Sequence, residues 1–306
     1  MKKEEQAPKK FSSLTEALQA MGLPGPKHPL VALIGTGTDA EVRPPAGGHV
    51  LSFYKISYKP RLSGRIRYGQ GHYDFDEGGL LFAAPGQVMG GGEELSSGAC
   101  SQYTLLIHPD LLWNYPLAKK IRQYGFFSYA ANEALHLSES EKAKVIAIFE
   151  SIGEELDNRI DELSQDMIVA QIELLLTYAE RFYKRQFITR KVVNSDLLVK
   201  LEKILSAYFA DEQALSRGIP TVQYLAGQLN LSPSYLSDML RTLTGQNAQQ
   251  HIHERLIEKA KEKLSTTNLS VSEVAYALGF EHPQSFSRLF KARTELSPME
   301  FRRSFN

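Results

Sequence analysis

A short pattern occurs twice in the last third of the chain, at residues 222–241 and again at residues 271–291. The two copies read VQYLAGQLNLSPSYLSDMLR and VSEVAYALGFEHPQSFSRLFK. In each copy apolar residues recur at helical spacing and then stop at Asn230 or Gly279, residue types that tolerate the left-handed backbone of a helix end. A proline follows within a few residues, in a position suited to the first turn of a new helix. Each copy is therefore predicted to form a helix, a tight turn and a second helix.

The repetition helps to distinguish a helix-turn-helix pair that binds DNA from an ordinary helical hairpin. Ala226 and Ala275 occupy matching positions, where a larger side chain would push the two helices of a pair apart. A helix-turn-helix pair of this kind can insert its second helix into the major groove of DNA. A single copy could equally be an ordinary hairpin of a helical domain, but two copies favour DNA binding.

The second helix of each copy carries the residues that we expect to contact DNA. The side chains predicted to face away from each core are mostly short and polar, and serine, glutamine and arginine can reach base edges and phosphates. A merely solvated face would be richer in lysine and glutamate. The candidate DNA-binding residues are Ser234, Ser237, Asp238 and Arg241 in the first copy and Gln284, Ser285, Ser287, Arg288 and Lys291 in the second.

A continuous helix is predicted between the two copies. Residues 248–264 read AQQHIHERLIEKAKEKL, which has helical periodicity and no break. At about 1.5 Å per residue this helix spans roughly 25 Å. With the flanking turns, it could hold two recognition helices on one face of a duplex, about one helical turn (~34 Å) apart.

These motifs resemble the DNA-binding domain of the AraC/XylS family of transcription regulators. The resemblance covers about residues 196–306 and is closest over SVSEVAYALGFEHPQSFSRLFKARTELSPMEFR. It implies base or phosphate contacts from Ser234, Ser237, Gln284, Ser287 and Arg288. Asp238 stands where members of the family often have arginine. The first recognition helix could therefore accept a hydrogen bond from cytosine or read little directly.

Charge points to a local DNA-binding surface. The whole chain has 35 basic and 35 acidic residues, which excludes a protein that binds nucleic acid through net charge alone. A local excess of positive charge lies near the C-terminus. Between residues 283 and 303 the only acidic residues are Glu295 and Glu300, and the basic residues are Arg288, Lys291, Arg293, Arg302 and Arg303. We therefore expect weak non-specific DNA binding, with a salt dependence that comes mainly from the second helix pair.

The first third of the chain is predicted to be β-structure. Runs such as HVLSFYKISYK and CSQYTLLIH alternate apolar with polar residues or are rich in aromatic and branched ones, and glycine and proline clusters separate them. This spacing favours an antiparallel barrel or sandwich. A small barrel before an AraC-type domain resembles the cupin-like sensory domain of that family. The predicted fold class is α+β: a cupin-like antiparallel β-barrel with dimerisation helices, then an all-α domain of two helix-turn-helix units joined by a linker helix.

The barrel is predicted to hold a small molecule and no catalytic metal. Catalytic cupins bind a metal through a His-x-His pair and further ligands, whereas the histidines of this region, His28, His49, His72 and His108, are isolated. We expect no cofactor and no enzymatic activity. The candidate ligand-binding residues, each with an apolar body and a polar tip, are Tyr54, Arg67, His72 and Tyr73.

Two helices are predicted between the barrel and the DNA-binding region, at residues 138–163 and 165–187. The first opens with a capping-box pattern at Ser138 and Glu141. The second has an apolar stripe of Ile168, Ile172, Leu175, Leu176, Ala179 and Phe182. This stripe could pack on the barrel, whereas the family resemblance implies that such helices pair two subunits. The predicted division is an N-terminal arm at 1–28, a cupin-like ligand-binding and dimerisation domain at 29–187, a linker at 188–195 and an AraC-type DNA-binding domain at 196–306.

The chain is thus predicted to be a sequence-specific transcription regulator controlled by a ligand. Its expected partners are double-stranded promoter DNA, a second copy of the chain, a small-molecule effector and, for an activator, RNA polymerase. The single cysteine, Cys100, and the absence of a long apolar run indicate a cytoplasmic protein without a membrane segment. Two alternatives stay open: a constitutive dimeric regulator whose barrel binds no ligand, and a cupin-type enzyme with an accessory DNA-binding domain.

Overall fold

The computed structural model describes ten stretches of the chain in two compact units, Met1–Gln186 and Phe187–Asn306. The described residues are 8–35, 49–60, 66–68, 71–73, 78–89, 102–130, 133–159, 161–189, 191–210 and 213–304. Cys100 and residues 1–7 of the predicted arm lie outside them. Among these residues, no helix combines the length and the apolar composition needed to cross a membrane.

The first unit combines short strands with a few helices. Its strands are β1 Lys9–Phe11, β2 Val31–Ile34, β3 His49–Leu51, β4 Tyr54–Lys59, β5 Ile66–Tyr68, β6 Gly71–Tyr73, β7 Gly79–Ala83, β8 Val88–Met89, β9 Tyr103–Ile107 and β10 Leu135–His136. Its helices are α1 Leu14–Ala20, α2 Leu117–Lys120, α3 Glu139–Asp157 and α4 Ser164–Thr189, which runs a few residues into the second unit. Short 3-10 turns lie at Pro109–Leu112, Ile121–Gln123 and Gly125–Ser128.

The strands form three separate sheets. The largest has the order β10-β7-β4-β9-β2, and all its pairs are antiparallel. Strands β1, β3 and β8 form a second sheet, and β5 pairs with β6 in a third. The predicted strands and the mixed α+β class are confirmed. The described strands show no closed barrel, so the cupin-like barrel stays a prediction.

Both faces of the five-stranded sheet are covered, because its strands alternate apolar side chains between two cores. On one face Phe82 packs against Phe126 with ring centroids 4.5 Å apart, and Phe126 stacks on Tyr183 of α4 at 5.5 Å. On the other face Leu106 belongs to a cluster with the buried side chains of β1, α1 and β3, including Phe11. The sheet therefore has helical elements on one side and the N-terminal segment on the other.

The boundary between α3 and α4 differs from the sequence prediction. The capping box of Ser138 and Glu141 is present, but α3 ends at Asp157 instead of near Leu163. The backbone turns extended at Asn158, and Asp161 Oδ1 then accepts hydrogen bonds from the amides of Leu163 and Ser164 at 2.8 and 2.9 Å. This Asx turn competes with helix continuation and starts α4 instead.

The apolar stripe of α4 is buried inside the chain. All six predicted members are buried: Ile168, Ile172, Leu175, Leu176, Ala179 and Phe182. The stripe therefore packs within the protein, the first of the two alternatives, and these side chains are not available to a second subunit. The exposed side of α4 carries a different set of apolar residues.

The second unit is entirely helical where it is described. Its helices are α5 Lys191–Ala210, α6 Gln213–Arg217, α7 Val222–Leu229, α8 Pro233–Thr244, α9 Ala248–Thr266, α10 Val271–Ala277, α11 Pro283–Thr294 and α12 Pro298–Arg303. Helix α5 begins at Lys191, five residues before the predicted start of the DNA-binding domain at Asp196. Residues 188–195, predicted as a linker, thus belong largely to the end of α4 and the start of α5. The four-part division of the chain stays a prediction.

Helix α9 is the central element of this unit. It begins with a capping box between Asn247 and Gln250, and its apolar face is buried at Ile252, Leu256, Ile257, Ala260 and Leu264. It packs against α5, α7, α8, α10 and α12. One amphipathic helix therefore supplies the common core of everything around it, and the predicted linker helix is confirmed.

The turn after α10 packs closely against the backbone at the end of α6, and a substitution at Gly279 tests this contact. Gly279 has φ of +86°, and a Cβ there would lie 2.6 Å from the carbonyl carbon of Gly218 and 2.9 Å from the carbonyl oxygen of Ala214. We expect Gly279→Ala to lower the free energy of unfolding by about 1–3 kcal/mol or more, through backbone strain and a backbone clash. Denaturant unfolding of the full-length protein measures this loss.

Gly227→Ala is the matched control. Gly227 lies inside α7, and a Cβ there would meet nothing within 4 Å. This change should stabilise the protein by about 0.5–1 kcal/mol, because alanine has the higher helix propensity. Equal stabilities of the two variants would contradict the packing described for Gly279.

Candidate nucleic-acid interface

The first helix-turn-helix pair consists of α7 and α8. Helix α7 ends at Asn230, whose backbone is left-handed at φ 55° and ψ 41°, and the amide of Leu231 donates to the Ala226 carbonyl at 2.9 Å. Helix α8 begins after Ser232, whose hydroxyl accepts from the Tyr235 amide at 3.2 Å, with Pro233 in the first turn. The left-handed helix end and the proline start predicted for this copy are therefore confirmed.

The second pair, α10 and α11, repeats this geometry with different caps. Gly279 takes the left-handed turn position, and the amide of Phe280 donates to the Ala275 carbonyl at 3.0 Å. Helix α11 begins after His282 with Pro283 in its first turn and has no side-chain cap. The core of the pair is aromatic: Phe286 packs on Phe280 and Phe290 with ring centroids 5.4 and 5.7 Å away.

Capping boxes fix the two helices that flank α11 in sequence. Ser270 and Glu273 cap α10, and Ser297 and Glu300 cap α12. Hydrogen bonds from the backbone and hydroxyl of Ser270 lower the pKa of Glu273, and those from the hydroxyl and backbone of Ser297 lower the pKa of Glu300. Both carboxylates are therefore engaged at the starts of their own helices, and the positive charge of Lys291 on α11 also lowers the pKa of Glu300.

The predicted DNA-contacting residues of α8 share one accessible face. Ser234, Ser237 and Asp238 are partly exposed and Arg241 is exposed, at the three- and four-residue spacing of a helix face. Arg241 Nη1 donates to Asp238 Oδ1 at 2.9 Å. An exposed ion pair of this kind contributes about 0–1 kcal/mol, so DNA can displace it. The pair nevertheless lowers the net charge that α8 offers to phosphates.

Helix α11 presents the more cationic face. Gln284, Ser285, Arg288 and Lys291 are exposed, and Ser287 is partly exposed. The Ser287 hydroxyl donates to the Pro283 carbonyl at 3.0 Å, so it is left to accept but not to donate toward DNA. Of the ion pairs in the described residues, none includes Arg288 or Lys291. Their positive charges are therefore available to a base edge or a phosphate.

One neighbour of this face was not singled out from the sequence. His253 of α9 contacts Gln249, and the Nε2 atoms of the two side chains are 2.9 Å apart. Burial lowers the pKa of His253, and the positive charge of Arg293 on α11 lowers it further. The ring is therefore neutral at pH 7. The Gln249–His253 contact is an i,i+4 pair on α9, whereas the influence of Arg293 comes from a residue 40 positions further along the chain and has no sequence signal.

Of the four candidate ligand-binding side chains of the first unit, the structure describes only that of Tyr54, so this set stays a prediction. Tyr54 is buried at the start of β4, with its ring 5.0 Å from that of Phe127. Arg67 pairs in register with His72 in the β5–β6 hairpin, which also contains Tyr73 and is a different sheet from the one that holds β4. The side chains of these three hairpin residues lie outside the described part. The described residues also contain no group of three or more His, Cys, Asp or Glu side chains that could hold a metal ion.

Comparisons with known proteins identify a helix-turn-helix domain in the same part of the chain. Residues 225–304 match the family model described as "Helix-turn-helix domain". The chain is 35% identical over 86 residues to the uncharacterised HTH-type transcriptional regulator YijO of Escherichia coli (strain K12), which covers 28% of this chain and 30% of the relative. It is 36% identical over 84 residues to the raffinose operon transcriptional regulatory protein RafR of Pediococcus pentosaceus, again 28% and 30%. The chain thus matches less than a third of the length of these relatives.

Two solved structures are also similar. The C-terminal domain of the response regulator yesN from Fusobacterium nucleatum is 30% identical, with a TM-score of 0.31, over 35% of this chain and 98% of that one. An apo ToxT variant from Vibrio cholerae is 16% identical, with a TM-score of 0.30, over 85% and 92%.

Two helix-turn-helix pairs on a shared helix, each with an accessible polar second helix, define a helix-turn-helix DNA-binding domain. The C-terminal region of this chain is such a domain of the AraC type, which confirms the family resemblance seen in its motifs.

Arg288 provides the sharpest test of the interface. We expect Arg288→Ala to weaken specific DNA binding by about 1–3 kcal/mol if the guanidinium contacts a base, and to relax the sequence preference at that position. Fluorescence anisotropy with a selected DNA site measures the affinity, and denaturant unfolding measures the stability.

Lys203→Ala is the control, because Lys203 is an exposed basic residue of α5, outside both helix-turn-helix pairs. This variant should bind specific DNA with nearly unchanged affinity. If Arg288→Ala lowers stability and leaves the sequence preference intact, the role of Arg288 is structural.

Proposed function

We propose that this protein is a sequence-specific, DNA-binding transcription regulator and not an enzyme. The observation that carries the proposal is the pair of helix-turn-helix units, each with an accessible recognition helix, packed on the single helix α9. Its target would be double-stranded promoter DNA in the cytoplasm. An activator of this class would also touch RNA polymerase.

The two recognition helices would contribute unequally. Arg288 has the fork of donors that suits the O6 and N7 atoms of guanine, Gln284 has the amide that suits adenine, and Lys291 is suited to a phosphate. In α8, Arg241 is already paired with Asp238. We therefore expect α11 to supply most of the affinity, and α8 to add selectivity through its serines and through Asp238, which can accept from cytosine.

Selection of genomic DNA fragments by the full-length protein tests the proposal. We expect an enriched motif with two blocks about one helical turn, ~10.5 bp, apart, because α9 holds both pairs together. Inserting about 5 bp between the blocks should place them on opposite faces of the duplex and abolish specific binding. Lack of enrichment, or equal binding to the 5-bp insertion, would contradict the proposal.

The salt dependence of binding tests the role of Lys291. If Lys291 neutralises one phosphate, Lys291→Ala should reduce the slope of log K against log[salt] by about 1, with the sequence preference unchanged. Anisotropy titrations over a series of salt concentrations give the slope. Lys203→Ala again serves as the control and should leave it unchanged.

We also propose that the protein is a homodimer that pairs through the exposed side of α4. Leu163, the residue before α4, and Met167, Ala170 and Leu174 within it are exposed and recur at spacings of four, three and four residues. This spacing is that of a coiled-coil seam, and a second copy of the same helix offers the matching surface. The buried stripe on the opposite side holds α4 in its own subunit, so one helix would serve both contacts.

Met167→Glu combined with Leu174→Glu should convert the dimer to a monomer, because it would place carboxylates in an apolar seam. Sedimentation velocity of the full-length protein measures the oligomeric state. Ala147→Glu, at an exposed position on α3, is the control and should leave the dimer intact. A monomeric unaltered protein, or a double variant that still dimerises, would contradict this interface.

Ligand control is the last part of the proposal. A small-molecule effector of the first unit would regulate DNA binding only if it binds one arrangement of the protein more tightly than another. The order of a strand-containing unit before an AraC-type DNA-binding domain, as in the regulators that the sequence resembles, supports a sensory role for this unit. The constitutive dimer without a ligand is the competing function, and a DNA affinity that no effector changes would favour it.

A further inference from the structure

A cleft of about 600 Å³ opens on the helix-covered side of the five-stranded sheet. Its wall is the segment from Pro109 to Gln123, and Tyr54 at the start of β4 borders it. Leu112 and Ile121 are fully buried beneath it. A volume of this size is within the range of small-molecule sites, and all the lining residues belong to the first unit.

The cleft combines an accessible indole with two cations. Trp113 is the only tryptophan of the chain, and its side chain is 81% exposed although it is the largest apolar group available. Lys119 and Arg122 line the same cleft, and Asp110 is the one acidic residue among the described residues of its lining. Within the described residues, neither of these two cations forms an ion pair with a carboxylate. The cleft therefore has a net positive charge beside a flat apolar surface.

Arg122 lines the cleft beside the buried Tyr54, whose ring centroid lies 5.0 Å from that of Phe127. Burial raises the pKa of Tyr54, so the phenol keeps its proton at pH 7 and can donate it to an acceptor in the cleft. A guanidinium has five donors in a planar fork that matches a carboxylate.

We propose that this cleft is a binding site for a small aromatic carboxylate. The carboxylate would accept hydrogen bonds from Arg122 and from the Tyr54 hydroxyl, with Lys119 adding a second positive charge, and the ring would lie on the indole of Trp113. The site lies outside the sheet and not between two β-layers. Its use as the effector site rests on the regulator function proposed above, whereas binding to the cleft does not depend on it.

The single tryptophan makes the cleft directly observable. Full-length protein labelled with 5-fluorotryptophan should give one ¹⁹F resonance, from Trp113, which we titrate with benzoate and with benzamide. The two probes have the same shape, but only benzoate is charged. We expect a saturable shift with benzoate at millimolar or tighter Kd. Benzamide should bind at least about tenfold more weakly, because hydrogen bonds to a charged acceptor are the stronger ones.

Two variants test whether the carboxylate of benzoate binds Arg122 and Tyr54. Arg122→Gln should weaken benzoate binding at least about tenfold, and Tyr54→Phe should weaken it while keeping the ring contact with Phe127. Arg181→Gln, at an exposed position of α4 outside the cleft, is the control and should bind benzoate normally. A resonance that does not move up to about 100 mM benzoate, equal binding of benzoate and benzamide, or an unchanged Kd in Arg122→Gln would each overturn the proposal.

Regulation is measured separately, by DNA affinity with and without saturating benzoate. A changed DNA affinity that is lost in Arg122→Gln supports the effector role. Saturation of the cleft without any change in DNA affinity overturns that role, while failure to bind DNA at all refutes the regulator function and leaves the binding site standing.

Discussion

Helix α9 is the constraint on which the DNA-binding domain depends. Its apolar face is buried against helices that come before and after it in the chain, so both helix-turn-helix pairs are fixed to the same rigid element. A helix of 19 residues is about 28 Å long. Helices α7 and α8 of the first pair and α10 of the second pack on α9, so both pairs share its buried apolar face.

The two pairs reach the same geometry through different residues. The first takes its left-handed turn with Asn230, an exposed residue, and caps the recognition helix with Ser232. The second must use Gly279, because the backbone around Gly218 approaches too closely for any side chain. The asymmetry extends to charge, since the Arg241 of α8 is paired with Asp238 while the cations of α11 have no described ion-pair partner. The two pairs therefore share a backbone geometry and differ in the charge that their second helices present.

The first unit shows why an apolar pattern is ambiguous. The stripe on α4 that begins with Ile168 indicates a buried face but does not say whether the sheet or a second subunit buries it. In the structure the chain itself buries it, and another set, from Leu163 to Leu174, remains exposed. The second set is harder to recognise in the sequence because Ala170 and Met167 are weakly apolar or flexible residues, and because the α3–α4 boundary was misplaced. Similarly, Trp113 and Arg122 carry no motif, and only folding places them beside Tyr54.

The sequence by itself determined the helix-turn-helix pairs, the helix between them, the strand content of the first unit and the residues on the accessible faces of α8 and α11. These features follow from local periodicity, caps and turn chemistry, which act over a few residues. The tertiary structure alone decided the sheet order, the buried side of α4 and the cleft beside Trp113. Each of these depends on which distant segments pack together, and long-range packing is set by the burial of whole surfaces, which no short stretch of sequence encodes.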